Sequence, residues 1–139
     1  MTLKFTVHGN PVPKARPRVT RTGHAYTPKP TADYERLVAM LAKEAMKGLC
    51  PTGKAIVLIV KAYFGIPKSW TKAKKQQALY GQLHPMKRPD LDNCIKAIQD
   101  AMNGIVYKDD SQIVEISASK RYSAVPRVDV VIEVFDGGF

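Results

Sequence analysis

The sequence predicts an α+β fold, a mixed β-sheet with helices packed against it, in one domain spanning residues 1–139. Three observations carry that expectation. Segments 3–9, 112–122 and 127–135 alternate apolar and polar residues with the period of two of a half-buried strand. Residues 54–63, KAIVLIVKAY, form one apolar, β-branched run of the length of a central strand. Two further stretches repeat apolar residues at helical spacing. A chain of 139 residues with 45% apolar content is enough for one hydrophobic core.

Taken in order, the first strand, LKFTVHG, places Leu3, Phe5 and Val7 on one face. Residues 10–30 carry Pro11, Pro13, Pro17, Pro28 and Pro30, a density that opposes any regular element. The segment reads as a long basic loop with a turn at 21–26, and loops of that length in compact domains are usually functional. Thr31 or Asp33 is then expected to cap a helix running to about Lys47, with Leu37, Val38, Leu41, Ala42 and Ala45 on its apolar face and Gly48 as its stop. After the 54–63 strand, GIPKSW breaks the pattern, and Ser69 starts a lysine-rich helix over 70–80 that ends at Gly81. A connector over 81–89 leads to a helix from Asp90 or Asp92 to Asn103. Its stripe is Leu91, Cys94, Ile95, Ile98, Ala101 and Met102, and Gly104 ends it. Residues 105–110 form a turn, and strands 112–122 and 127–135 are expected to pair as a hairpin along one side of the sheet.

Charge is segregated. The net charge is +10, yet residues 1–32 and 45–89 contain no acid at all. Basic, acid-free segments in a folded domain point to a polyanion, with phosphate contacts supplying affinity. Nucleic acid is the favoured polyanion, and Arg16, Arg18, Arg21, Lys29, Lys72, Lys74, Lys75, Lys87 and Arg88 are the candidate contacts to it. Cys50 and Cys94 lack metal-ligand or redox spacing and read as reduced, mostly buried thiols. His8, His24 and His84 stand alone. No apolar run is long enough to span a membrane and no signal-peptide pattern opens the chain, so a cytoplasmic protein is expected.

Against this background KRPDLDN, 87–93, is unusual, because two acids stand one residue apart at the end of a basic connector. On one helix they would point roughly 200° apart and share no ligand. Pro89 disfavours helical backbone at Arg88, so the helix can start near Asp90 and let the two carboxylates converge. Close carboxylates repel unless a cation sits between them, and Mg²⁺ prefers such oxygen donors while keeping several waters. Asp92, Lys96, Asp100 and Asn103 fall near one polar face, and Asp109–Asp110 follows in the next turn. Each feature alone has an ordinary reading: Asp92 as a helix cap, Lys96 as an i,i+4 ion-pair partner, Asp109–Asp110 as a turn. Flanking basic segments favour chemistry, since a phosphodiester needs both cationic grip and metal ligands.

The run RPDLDNCIKAIQDAMNGIVYKDDSQIVEI, 88–116, closely resembles the core of the RusA family of Holliday junction resolvases. PVPKARPRVTR, AYTPKPTADYE and IPKSW also resemble phage and prophage members, so the resemblance covers most of the chain. One departure is Cys94, where Leu is common. The resemblance implies a RusA-like fold and a Mg²⁺-dependent endonuclease that resolves four-way junctions by paired nicks in recombination and repair, leaving 5′-phosphate and 3′-hydroxyl ends. It implies that Asp90, Asp92 and Asp110 hold the metal, that Lys96 assists catalysis, and that Asp100 and Asp109 support them. It also implies a homodimer, whose two-fold symmetry matches that of the junction. Two alternatives remain from the residues alone. One is a non-catalytic nucleic-acid-binding protein that uses only the basic loops. The other is a metal-dependent phosphatase or nucleotide enzyme built on D-x-D, disfavoured because HPMKRP rather than a buried strand precedes the acids.

Overall fold

A computed structural model describes residues 1–135. Its sheet has four strands in the order β1-β6-β4-β5: β1 (Thr2–His8), β4 (Ile56–Gly65), β5 (Ile113–Ser123) and β6 (Arg127–Val134). β4 runs parallel to β5, whereas β6 is antiparallel to both β4 and β1, so the sheet is mixed. Two long helices, α1 (Lys29–Met46) and α3 (Leu91–Met102), pack on each other and cover one face. Val38, Ala42, Ile98 and Met102 from the helices join Val7, Leu58, Val60, Val130 and Ile132 from the sheet in one core. The alternation in β1 and β6 sends Leu3, Val7, Val128, Val130 and Ile132 into that core and leaves Lys4 and Glu133 exposed on the other side. The α+β expectation therefore holds.

The expected hairpin does not form. β5 and β6 are joined by only three residues, 124–126, yet β4 lies between them. Two strand spacings come to roughly 9.5 Å, and four residue steps reach roughly 13 Å, so the link can step over the end of β4. It does so at Gly65: a side chain there would meet Pro126 Cγ at 3.7 Å and Asn10 Oδ1 at 3.4 Å. Arg127 braces the step, donating from one nitrogen to Ser123 Oγ at 3.1 Å and to the Val125 carbonyl at 2.9 Å. β4 pairs on both sides, as a central strand does, and buries Ile56, Val57, Leu58, Val60 and Ala62.

The proline-rich segment is more ordered than its composition implies. Between Pro17 and Pro28 the chain makes a small antiparallel pair, β2 (Arg18–Val19) with β3 (Ala25–Tyr26), turning through Gly23 at φ +87°. α1 starts at Lys29, ahead of Thr31 and Asp33, because Pro28 and Pro30 sit where the helix leaves N–H groups unpaired anyway. Thr31 is buried and acts as a tie rather than a cap: its hydroxyl donates to the Pro13 carbonyl and accepts from the Ala15 N–H. The lysine-rich helix α2 (Lys72–Leu79) is capped by Thr71, whose hydroxyl accepts from Lys74 N–H, and not by Ser69. Cys94 is buried, but Cys50 is exposed, contrary to expectation.

Candidate active site

The site forms where the connector enters α3. Asp90 occupies the N-cap position with extended backbone (φ −66°, ψ 147°), after a cis Arg88–Pro89 peptide. Its carbonyl begins the helix by accepting from Cys94 N–H, but its carboxylate makes no cap hydrogen bond. Asp92 lies in the first turn. Both carboxylates are exposed, and neither makes a hydrogen bond or ion pair among the described residues. An acid serving only as a cap would accept an N–H of the first turn. Asp90 accepts none, so its oxygens stay available to a ligand.

Basic residues surround Asp90. Pro13, Lys14, Arg16, Arg88, Pro89 and Asn93 line an open cleft with it, of about 560 Å³. The proline-rich segment reaches this cleft because Lys14 N–H donates to the Asn93 carbonyl at 3.0 Å, fastening residue 14 to the first turn of α3. Arg16 thereby comes to the same cleft as Arg88, although 72 positions separate them in the chain.

Asp110 does fold back toward α3. Its Oδ2 lies 3.8 Å from Lys96 Nζ, which also pairs with Asp100 Oδ1 at 3.1 Å. Lys14 Nζ holds the second Asp100 oxygen at 3.3 Å and Glu35 Oε1 at 2.5 Å. Charges thus alternate from Glu35 through Lys14, Asp100 and Lys96 to Asp110. The Lys14 pKa is raised: burial works against the charge, but hydrogen bonds and attraction from Glu35 and Asp100 outweigh it. Among the described residues no group of three or more His, Cys, Asp or Glu side chains stands ready to hold a metal ion. The structure therefore brings Asp110 to Lys96 without converging it on Asp90 and Asp92.

Asp109 and Asp110 divide two jobs. Asp109 caps a 3-10 turn over Asp110–Gln112, its carboxylate accepting from Ser111 N–H at 3.1 Å, and the Ser111 hydroxyl, then that N–H, hold its pKa below the usual carboxylate range. Asp110 is left to face Lys96. Gln112 fixes the turn: its Oε1 accepts from Lys108 and Asp109 N–H at 2.9 and 3.0 Å, and its Nε2 donates to the Thr52 and Lys54 carbonyls at 2.9 Å. Beneath lies Tyr107, fully buried, its hydroxyl donating to the Gln99 carbonyl at 2.7 Å. Burial, then the nearby Asp110, Asp100 and Asp109 charges, push its pKa well above the ordinary value, so it stays protonated. Burial likewise pushes the Cys94 thiol up to about 11, against the pull of Lys120, which makes it no nucleophile.

The remaining predicted contacts are scattered. Arg18 and Lys29 line a second cavity next to the cleft, and Lys29 also pairs with Asp33 at 3.2 Å. Arg21 sits in the turn between β2 and β3. Lys87 is exposed, and its carbonyl accepts from Lys120 Nζ at 2.8 Å. Lys72, Lys74 and Lys75 lie on α2, which packs against β5, and none lines the cleft. Lys74 is drawn to Trp70, its ammonium 4.1 Å from the ring centroid. Reading the sequence misses Lys14, Gln112 and Lys120 as site residues. The available signal was Lys14 in PVPKARPR, because each of the three makes its tie across the fold to a residue distant in the chain.

As for the divalent ion such a site would use, the donor set suits a hard cation. Asp90 and Asp92 offer uncommitted carboxylate oxygens at one helix start, and Mg²⁺ commonly takes one or two carboxylates and keeps its waters.

Residues 8–133 match the family model described as endodeoxyribonuclease RusA. The chain is also similar to a Bacillus subtilis (strain 168) protein named "Uncharacterized protein YqaN", with 42% identity over 135 residues covering 94% of each chain. With that match extending from the end of β1 almost to the end of β6, the chain belongs to the RusA endodeoxyribonuclease family.

Proposed function

We propose that this protein is a Mg²⁺-dependent endonuclease that resolves four-way DNA junctions by paired, symmetric nicks as a homodimer, acting on cytoplasmic DNA in recombination and repair. RusA-family membership supports nuclease action on branched DNA. The observation that carries the reading to this chain is the uncapped Asp90 carboxylate, free at a helix start and facing a cleft shared with Arg16 and Arg88. Asp90 and Asp92 would hold the ion, and Asp110, which lies against Lys96 and apart from them, would become the third carboxylate only by leaving that lysine. The ion would supply an activated water and charge stabilisation at the phosphorus. Arg16 and Arg88 would hold the flanking phosphates, and Lys96, anchored by Asp100, would offset charge growing on the scissile group.

The test is a synthetic four-way junction incubated with protein and Mg²⁺. Symmetric pairs of nicks at the branch point support the reading. Binding without cutting would select a non-catalytic DNA-binding protein, in which the acids serve only structure.

A further inference from the structure

Beside the aspartate cleft lies a larger cavity of about 720 Å³, unused by the reading above. The two share Pro13 and Arg16 as walls, so they adjoin. Pro17, Pro28 and Tyr26 give the cavity apolar walls, and Tyr26 is 47% exposed. Arg16, Arg18 and Lys29 bring cations to it, and no acid lines it. Its volume falls within the roughly 300–1,000 Å³ that small-ligand sites occupy. An aromatic ring among prolines, rimmed by guanidinium and ammonium groups, suits a group with a flat apolar body and an anionic tail. A nucleotide has that chemistry: bases stack on aromatic rings whatever their identity, and phosphates pair with Arg and Lys.

We propose that this cavity receives one unstacked nucleotide of the branched DNA, its base against Tyr26 and the prolines, its phosphate on Arg16 and Arg18. The inference rests on the DNA-directed reading above and extends it, because it places a nucleotide next to the strand held at Asp90. Stacked duplex offers no free base to such a cavity. At a branch point the stack is interrupted where strands change partners, so a base there has less to lose on being drawn out, as with other weakly held bases. Val19, although exposed, lies on β2 outside the cavity lining, so Tyr26 is the large exposed apolar side chain the cavity offers.

The experiment measures junction binding in chelator, so that no strand is cut and the result is independent of catalysis. Parent, Tyr26→Ala and Tyr26→Phe are each titrated against an intact four-way junction and against junctions carrying one abasic site, moved through the branch-point positions. Tyr26→Ala should weaken binding to the intact junction about tenfold, while Tyr26→Phe stays near the parent. At one branch-point position the abasic site should cost the parent the same factor, and Tyr26→Ala should then add nothing. Arg18→Gln should weaken all junctions alike and lower the salt slope by about one, and it serves as the second variant if Tyr26→Ala does not fold. Equal losses from Tyr26→Ala on intact and every abasic junction, or no loss at all, would overturn the inference. So would an Arg18→Gln protein that binds as the parent does. Failure of the parent to cut junctions would count against the catalytic reading and would not move this cycle.

Discussion

Replacing Lys14 with Met probes the charged chain that joins the proline-rich segment to Lys96. The Lys14 ammonium lies 2.5 Å from Glu35 and 3.3 Å from Asp100, and the three side chains are 21%, 22% and 20% exposed. Fully exposed ion pairs contribute about 0.2–1 kcal/mol, whereas breaking a buried pair costs about 3–5 kcal/mol. With two partners and partial burial, Lys14→Met should fall between these, near 2 kcal/mol, which matches the range for hydrogen bonds to charged groups. For a domain of this size that is a drop in Tm of about 8 °C. The backbone tie from Lys14 N–H to Asn93 survives the change, so the loss isolates the side chain. The pH dependence has a definite sign. The folded pKa of Lys14 is raised, so its contribution is fully present below the unfolded value of about 10.4 and is lost as pH rises through the higher folded value. Urea unfolding of parent and variant should therefore show a constant gap from pH 7 to about pH 10 that narrows above it. Lys14→Arg should recover part of the loss. A gap below about 0.5 kcal/mol at neutral pH, or one that widens in alkali, would refute the argument.

Three further outcomes follow from contacts around Asp110. Gln112→Ala removes four hydrogen bonds, two that close the Asp109–Asp110 turn on itself and two that tie it to residues 52 and 54, and should cost about 2–3 kcal/mol in urea unfolding and slow junction cleavage more than it weakens junction binding. Tyr107→Phe strips the Gln99 carbonyl of a buried donor, and should cost about 1–2 kcal/mol by thermal unfolding with junction affinity unchanged. Lys96→Met should reduce single-turnover cleavage about 100-fold or more while leaving the dissociation constant for the junction within about threefold, as expected of a group that acts on developing charge. Equal losses in binding and cleavage would make Lys96 a simple phosphate contact.

The parts of the fold that were legible in the sequence are those set by local pattern. The stripe from Cys94 to Met102 and the alternation in β1 and β6 each report which face is buried, and the structure buries those faces. Gly48 and Gly81 mark helix ends, at φ +81° and +77°. What failed was pairing. β5 and β6 are three residues apart in sequence and each alternates as a hairpin arm would, but β4 wins the hydrogen bonds of both. Nothing local records that competition; only the absent side chain of Gly65 hints that another segment crosses there. At the site, D-L-D-N and Lys96 were visible because they are contiguous in the chain. Which acid of Asp109–Asp110 caps and which faces Lys96 was not, since both are the same residue type and only the Ser111 hydrogen bond separates them. Lys14 and the outward ties of Gln112 escaped because they are long-range: Lys14 reaches Glu35, 21 residues away, and Asp100, and the Gln112 amide reaches carbonyls 58 and 60 residues away.

The central claim is that Asp90 and Asp92 are ligands for a divalent ion rather than helix-start acids. Their conversion to Asn keeps shape and hydrogen-bonding capacity but removes the charge a metal needs. The direct measurement is cleavage of a synthetic four-way junction in Mg²⁺ by parent, Asp90→Asn and Asp92→Asn proteins, with binding and thermal stability measured alongside. Because neither carboxylate makes a hydrogen bond or ion pair among the described residues, both variants should fold and bind the junction as the parent does, and both should lose cleavage by about 100-fold or more. Variants that cut at the parental rate would contradict the account.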